Sequence, residues 1–183
     1  MKVHFIGPLE GDQQYYKSII KTIKDLGYKV ITNHSATRDL NYVHQEPKTE
    51  TELYVQKMQN WIRKSDIVVV DVTYPGFGAG FEIAIALQYG KPVVVIYQPN
   101  PKSGAHTVLK GINFDRLQVL AYAKNTLKQT LNIALKYASE QVDTRFTMVL
   151  PADINSYLNQ LGQKGINRSE YIRSLIREKM EEK

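Results

Sequence analysis

Residues Asp66 to Val72 contain the run Ile67-Val68-Val69-Val70, apolar and β-branched throughout with no polar alternation. A strand with one wet face alternates apolar and polar residues, so an unbroken run marks a strand buried on both faces, as in parallel sheets covered by helices. Parallel neighbours need long crossovers, and the remainder of the chain has to supply them. Lys91 to Tyr97 is equally apolar, Lys2 to Ile6 and Lys29 to Thr32 are shorter runs of the same kind, and Leu117 to Ala121 makes a fifth. Helical patterns fall between them. Ile19, Ile20, Ile23 and Leu26 share one stripe, a helix is expected from about Glu50 to Lys64 and another over Phe81 to Tyr89, and Leu127, Leu131, Ala134 and Leu135 mark a closing helix from Asn125 to Ser139.

The alternation predicts an α/β domain over residues 1–140: a five-stranded parallel doubly wound sheet of flavodoxin/Rossmann-like form. Asn33 to Thr49 is too polar for a core element and reads as a long loop, a kind that is usually functional or mobile. With 183 residues, 43% hydrophobic and 23% charged, the chain has material for one medium core and a small appendage. It holds no apolar stretch near the roughly 18 to 20 residues that a membrane helix needs, and Gly7-Pro8 interrupts the first run where a signal peptide would continue. A cytoplasmic protein without membrane contact is the expectation. The absence of cysteine rules out disulfides, thiol nucleophiles and thiolate metal sites. Catalysis would fall to carboxylates, histidines or hydroxyls, and no metal or cofactor is called for. Of the net charge of +6, residues 141–183 carry only +1, so the basic excess lies in the first domain. That excess suits a nucleotide site, nucleic acid or plain solubility.

Doubly wound sheets bind ligands beyond the carboxyl ends of their strands, at the switch point of strand order. The residues there are Gly7, Pro8, Leu9, Glu10 and Gly11 after the first strand, His34 after the second, Asp71 on the third and Gln98 after the fourth. Between the third strand and its helix, Gly76, Gly78 and Gly80 allow close backbone approach and leave open amides at a helix start, which suits an anion or a sugar. Glu82 is expected in the first turn of that helix, where the dipole would hold it ionised as a nucleophile or electrostatic partner; the alternative is a local acid satisfying first-turn amides. The turn lacks the Lys-Ser/Thr of a P-loop and the spacing of a dinucleotide fingerprint, so the residues alone define a small-molecule site.

Several segments carry a resemblance. His4-Phe5-Ile6-Gly7, Val30-Ile31-Thr32-Asn33-His34, Trp61 through Asp66-Ile67-Val68-Val69-Val70, and Gly78-Ala79-Gly80-Phe81-Glu82 followed by Gly90-Lys91-Pro92 resemble the nucleoside 2-deoxyribosyltransferase superfamily, nearest its deoxynucleoside monophosphate N-hydrolase branch. Ser103-Gly104 and Lys110-Gly111 resemble its later phosphate-side segment, and the likeness runs from about Lys2 to Ala121. The resemblance implies cleavage or transfer of the N-glycosidic bond of a nucleoside or nucleotide, with Glu82 attacking the anomeric carbon. It also implies Asp71 as a holder of sugar or nucleophile, with strand-end capping as the alternative. Gly7, Pro8, Leu9, Gly78, Gly80, Ser103, Gly104 and His106 would line the substrate. The branch carries an aspartate where this chain has Met58, tends to a basic residue at Glu10, and has a serine at His106. Methionine can neither protonate a base nor orient a hydroxyl, which leaves His34 as candidate proton donor.

The C-terminal residues 141–183 form a second module. Phe146, Met148 and Leu150 alternate with Arg145, Thr147 and Val149, predicting a half-buried strand over Asp143 to Pro151. Helices are expected over Ala152 to Leu161 and from Asn167-Arg168-Ser169-Glu170, which resembles a capping box. One strand and two short helices bury too little by themselves, so a second copy is expected. The pattern resembles the dimeric ribbon-helix-helix proteins. That likeness implies a homodimer or higher homo-oligomer, with Arg145 and Thr147 facing base edges and Arg168 and Ser169 near a phosphate if DNA is bound. A dimerisation clasp is the alternative. For the whole chain, a dimeric DNA-binding regulator with a nucleotide-sensing α/β domain is the rival to the enzyme.

Overall fold

Five strands, β1 (Lys2–Ile6), β2 (Lys29–Val30), β3 (Ile67–Asp71), β4 (Val93–Tyr97) and β5 (Leu117–Ala121), pair in the order β2-β1-β3-β4-β5. Every pairing is parallel. The computed structural model describes residues 1–31, 34–37, 43, 45–74, 76–99, 109, 111–112, 114–142 and 148–182, with the backbone alone at 170. The helices whose bounds fall among the described residues are α1 (Gln13–Asp25), α2 (Lys48–Lys64), α3 (Phe77–Gln88), α4 (Leu127–Glu140), α5 (Ala152–Gln163) and α6 (Arg168–Glu181), and a 3₁₀ turn spans His34–Ala36. The chain divides into two units, Met1–Arg145 and Phe146–Lys183.

The pleat decides which helix each strand residue meets. Val3, Phe5, Ile67, Val69, Val94 and Ile96 pack against α1 and α4, whereas Ile6, Val68, Val70, Val93 and Val95 pack against α2 and α3. All five residues of β3 and of β4 are buried, as a strand covered on both faces requires. Strand order turns from leftward to rightward between β1 and β3, so the crevice beyond their carboxyl ends is the switch point. No helix among the described residues is long and apolar enough to cross a membrane.

The structure corrects several boundaries. The second strand is shorter than expected, ending at Val30, although the Ile31 amide still donates to the Val3 carbonyl at 3.0 Å. The helix after β3 begins at Phe77, not Phe81. Glycine disfavours a helix interior by roughly 1 kcal/mol relative to alanine, so Gly78 and Gly80 argued for a later start. Packing overrides that penalty: Ala79 is buried in the core, and a Cβ on Gly76, the N-cap, would stand 2.6 Å from Pro8 Cβ. Glu82 therefore sits in the second turn, and the dipole argument for its ionisation fails because that effect fades within the first turn. In the C-terminal unit both helices are present, while of the expected strand Asp143–Pro151, residues 143–147 lie outside the described residues and Met148–Leu150 form no strand. A ribbon strand needs a second strand to pair with, which one chain cannot offer.

The loop after β1 is held tightly. Tyr16, fully buried, donates its hydroxyl to the Pro8 carbonyl at 3.0 Å, and the Gly11 amide donates to the same carbonyl at 3.0 Å. A Cβ on Gly7 would lie 2.6 Å from Tyr16 Cζ, and one on Gly11 would strike the Tyr16 hydroxyl. The pinned ring cannot retreat, so Gly7→Ala is expected to cost about 1–3 kcal/mol in urea unfolding. Gly80→Ala, whose methyl meets nothing within 4 Å, should instead stabilise by about 0.5–1 kcal/mol.

Candidate functional site

At the carboxyl ends of β1 and β3 lies a cavity of about 440 Å³, within the usual range for small-molecule sites. Its walls come from the β1 loop (Gly7, Pro8, Leu9, Glu10), the 3₁₀ turn (His34, Ser35), one face of α2 (Thr51, Tyr54, Val55, Met58) and the start of α3 with Gly78, Phe81 and Glu82. Ser35 accepts a hydrogen bond from the Gly7 amide at 2.9 Å, fastening the turn to the loop. The α3 N-cap, Gly76, makes no side-chain cap, so the first-turn amides of that helix are not taken by a cap. An added Cβ on Gly78 or Gly80 would meet open space, which leaves room for a ligand along the first turn.

Glu82 is the chemical centre of this wall. Its side chain is only 13% exposed, and burial penalises the charged form enough to push its pKa up to about 7, against a hydrogen bond from the Tyr54 hydroxyl that favours the carboxylate. Behind it stands His4 of β1, with Nε2 at 4.0 Å from Glu82 Oε2. Neither His4 nitrogen has a hydrogen-bond partner among the described residues. Burial, then the nearby His34, pulls the His4 pKa down to about 4. At neutral pH the contact is therefore between an uncharged imidazole and a partly protonated carboxyl, and it is not an ion pair. The aromatic rings continue outward: His34 stacks on Tyr54 at 4.7 Å and tilts against Trp61 at 5.3 Å.

Other expected site residues fall elsewhere. Asp71, fully buried, does not line the cavity. The Tyr122 hydroxyl donates to its Oδ2 at 2.5 Å and the Thr73 amide to its Oδ1 at 2.9 Å. Tyr15 and Gln98 extend that network, at 2.6 Å to the Tyr122 hydroxyl and 2.5 Å to the Tyr15 hydroxyl. Burial raises the Asp71 pKa, and the Tyr122 bond opposes the rise. By strand alternation, Asp71 follows Val69 toward the α1 and α4 side, whereas His4 and Glu82 lie toward α2 and α3. Ser103, Gly104 and His106 lie outside the described residues, as do Arg145 and Thr147. Arg168 spends its guanidinium on Asn159 Oδ1 at 2.8 Å and Asn155 Oδ1 at 3.1 Å, joining α5 to α6, and the Ser169 amide donates to Asn167 Oδ1 at 3.0 Å. Met58 lines the cavity, 3% exposed. Among the described residues no group of three or more His, Asp or Glu is placed to hold a metal.

Fold and site together define a doubly wound α/β protein with a small-molecule cavity at its switch point and one deeply set carboxylate in the wall. No known family profile matches the chain. It is 34% identical over 115 residues to a Nematostella vectensis protein whose name places it provisionally as 2'-deoxynucleoside 5'-phosphate N-hydrolase 1, covering 60% of this chain and 76% of that one. A rat 5-hydroxymethyl-dUMP N-hydrolase is 29% identical over 134 residues, covering 71% of this chain and 82% of the relative. Among solved structures, a 2-deoxyribosyltransferase from Bacillus psychrosaccharolyticus has a TM-score of 0.49 at 14% identity, covering 69% of this chain and 96% of that one. The chain belongs to the 2'-deoxynucleoside 5'-phosphate N-hydrolase family.

Two residues of the site escaped the sequence reading. His4 was visible as the one polar side chain between Val3 and Phe5 on a strand buried on both faces, a place where an imidazole needs a reason. Tyr54 was visible only as a neighbour of Met58 at i,i+4 on α2.

The paired shifts of His4 and Glu82 make a signed prediction. His4, lowered from 6.5 to about 4, holds fewer protons folded than unfolded between those values, so its contribution to stability rises with pH. Glu82, raised from 4.5 to about 7, holds more protons folded, so its contribution falls with pH. Between about pH 4.5 and 6.5 the two nearly cancel. Glu82→Gln should uncover the histidine alone: unfolding free energy measured in urea should climb between pH 5 and 6.5 by up to about 1.4 kcal/mol per unit relative to wild type.

Proposed function

We propose that this protein cleaves the N-glycosidic bond of a nucleoside or nucleotide, with Glu82 as nucleophile. The observation that carries the reading is a single carboxylate, largely shielded from water, in the wall of a cavity at the switch point beside open first-turn amides. The names of the relatives at 34% and 29% identity point the same way. In the first step a Glu82 oxygen bonds to the anomeric carbon while the C–N bond breaks and its electron pair leaves with the base, which takes up a proton. Water then attacks the same carbon, gives up a proton and releases the carboxylate. A desolvated carboxylate against the sugar also stabilises the positive charge that develops on the ring. His34, in the cavity wall, is our candidate for handing the base its proton, and Asp71 we assign to holding β3 to the tyrosine network. Base release from a panel of nucleosides and 5'-monophosphates is expected to fall at least about 10³-fold in Glu82→Ala. Absence of turnover by wild type on every member would sink the enzyme and favour a binding-only site.

We infer that the C-terminal unit is a dimerisation element. Of its described residues only Leu158 is buried, while Ile154, Tyr157, Leu175, Ile176 and Met180 are exposed. Two helices with so little core cannot support themselves, and a second copy supplies apolar surface of the same kind. Sedimentation should find a dimer for wild type and a monomer for the double variant Leu175→Asp, Ile176→Asp. A wild-type monomer refutes the clasp. Salt-sensitive DNA binding that Arg145→Ala abolishes would favour the regulator instead.

A further inference from the structure

Between Val3 and Ile6, β1 is apolar apart from His4. Val3 and Phe5 turn toward α1 and α4, so alternation sends His4 with Ile6 into the layer of α2 and α3, among Met58, Ile62, Val68 and Ile83. The ring is 3% exposed, and neither of its nitrogens has a hydrogen-bond partner among the described residues. A buried polar atom left without a partner weakens a fold, and a phenyl ring in the same slot would avoid that penalty. Natural chains break such rules of burial chiefly where a site needs the group. The need here lies at the polar end of the ring: Nε2 stands 4.0 Å from Glu82 Oε2, while the ring leans on Trp61 at 6.0 Å with an interplanar angle of 42°.

We propose that His4 is a positioning residue for Glu82, an imidazole kept in an apolar layer because its Nε2–H orients the carboxylate and favours the ionised form that attacks. The inference rests on reading Glu82 as the nucleophile. His4 does not line the cavity, so it acts through Glu82 and not on the substrate. At 4.0 Å the two groups are not hydrogen-bonded; a shift of roughly 1 Å closes the gap, and contacts of this kind commonly tighten only when substrate is bound. Burial holds the imidazole uncharged at neutral pH, its pKa drawn down to about 4, so it can donate one proton to the carboxylate without adding a second buried charge. The other titratable groups near the carboxylate are Tyr54 on α2, His34 in the 3₁₀ turn, Glu10 and Glu46. They belong to the wall that a ligand meets, whereas His4 comes from β1 within the core.

His4→Phe keeps a ring and removes both nitrogens. Its Tm should rise, because the unpartnered atoms are gone. With ¹³C-labelled glutamate and the Glu82 signal assigned by its loss in Glu82→Gln, the carboxyl titration should move from near pH 7 in wild type to about pH 8 in His4→Phe. In base-release assays kcat at pH 7 should fall at least about fivefold with KM nearly unchanged, and His4→Gln, whose amide offers a donor at about the reach of Nε2, should recover part of the loss. In wild type, ¹⁵N–¹H correlation spectra should show His4 as the neutral Nε2–H tautomer, its Nε2 signal following the titration of Glu82. A folded His4→Phe protein whose Glu82 titrates as in wild type overturns the proposal. Should that variant not fold, a wild-type Nε2 signal indifferent to Glu82 overturns it equally. Neither measurement needs substrate, so a wild type without turnover sinks the enzyme reading while the carboxyl and imidazole signals still decide the role of His4.

Discussion

The central pairing of β1 with β3, each strand covered on both faces, is the constraint from which the rest of this molecule follows. A strand so placed has no wet side on which to park a polar residue, and β1 nevertheless carries His4, 3% exposed, opposite Val68 in register. The imidazole is thereby forced toward the α2 and α3 side, into the same layer as Glu82. Burial then acts on both groups in opposite directions, raising the carboxyl to about 7 and lowering the imidazole to about 4, so that at neutral pH the imidazole is uncharged and the carboxyl partly protonated. The raised pKa of the Glu82 carboxyl is thus a consequence of how the sheet is covered.

The layering also explains why another buried carboxylate, Asp71, has a different character. Asp71 leaves β3 on the opposite side and finds Tyr122 and the Thr73 amide within bonding distance. A carboxylate with its hydrogen bonds satisfied and no opening to solvent is suited to holding strand ends together. Glu82 keeps one hydroxyl partner and faces a cavity. Two acids near the same end of the sheet thus lie on opposite faces in different surroundings.

Much of this was legible in the chain. Unbroken apolar runs at β3 and β4, with helical stripes between them, are strong signals because burial on both faces leaves no other composition available, and the strand-end loops followed from the architecture. Gly76, Gly78 and Gly80 were read as letting the backbone approach a ligand; the structure shows Gly76 packed on Pro8 and the other two facing open space, while the tight fit of Gly7 against Tyr16 was not anticipated. What misled was propensity: glycines in the first turn of α3 pushed its predicted start to Phe81, and with it went the account of Glu82 as an acid on a helix dipole. Local preference is worth roughly 1 kcal/mol per residue, and tertiary packing of Ala79 and Gly76 outweighs it. The C-terminal strand was a weaker case, since its alternation describes a surface to be covered without saying by what.

Sequence alone determined the class of fold and the end of the sheet where the cavity lies, and singled out Glu82, which the structure places in the cavity wall, because apolar periodicity and strand-end position are properties of neighbouring residues. Only the tertiary structure decided what surrounds that carboxylate. His4, Tyr54 and Glu82 come from β1, α2 and α3, far apart along the chain. Their approach depends on which way the pleat turns each side chain and on how deep each helix seats, and a pKa near 7 arises from that shared burial, which no single segment encodes.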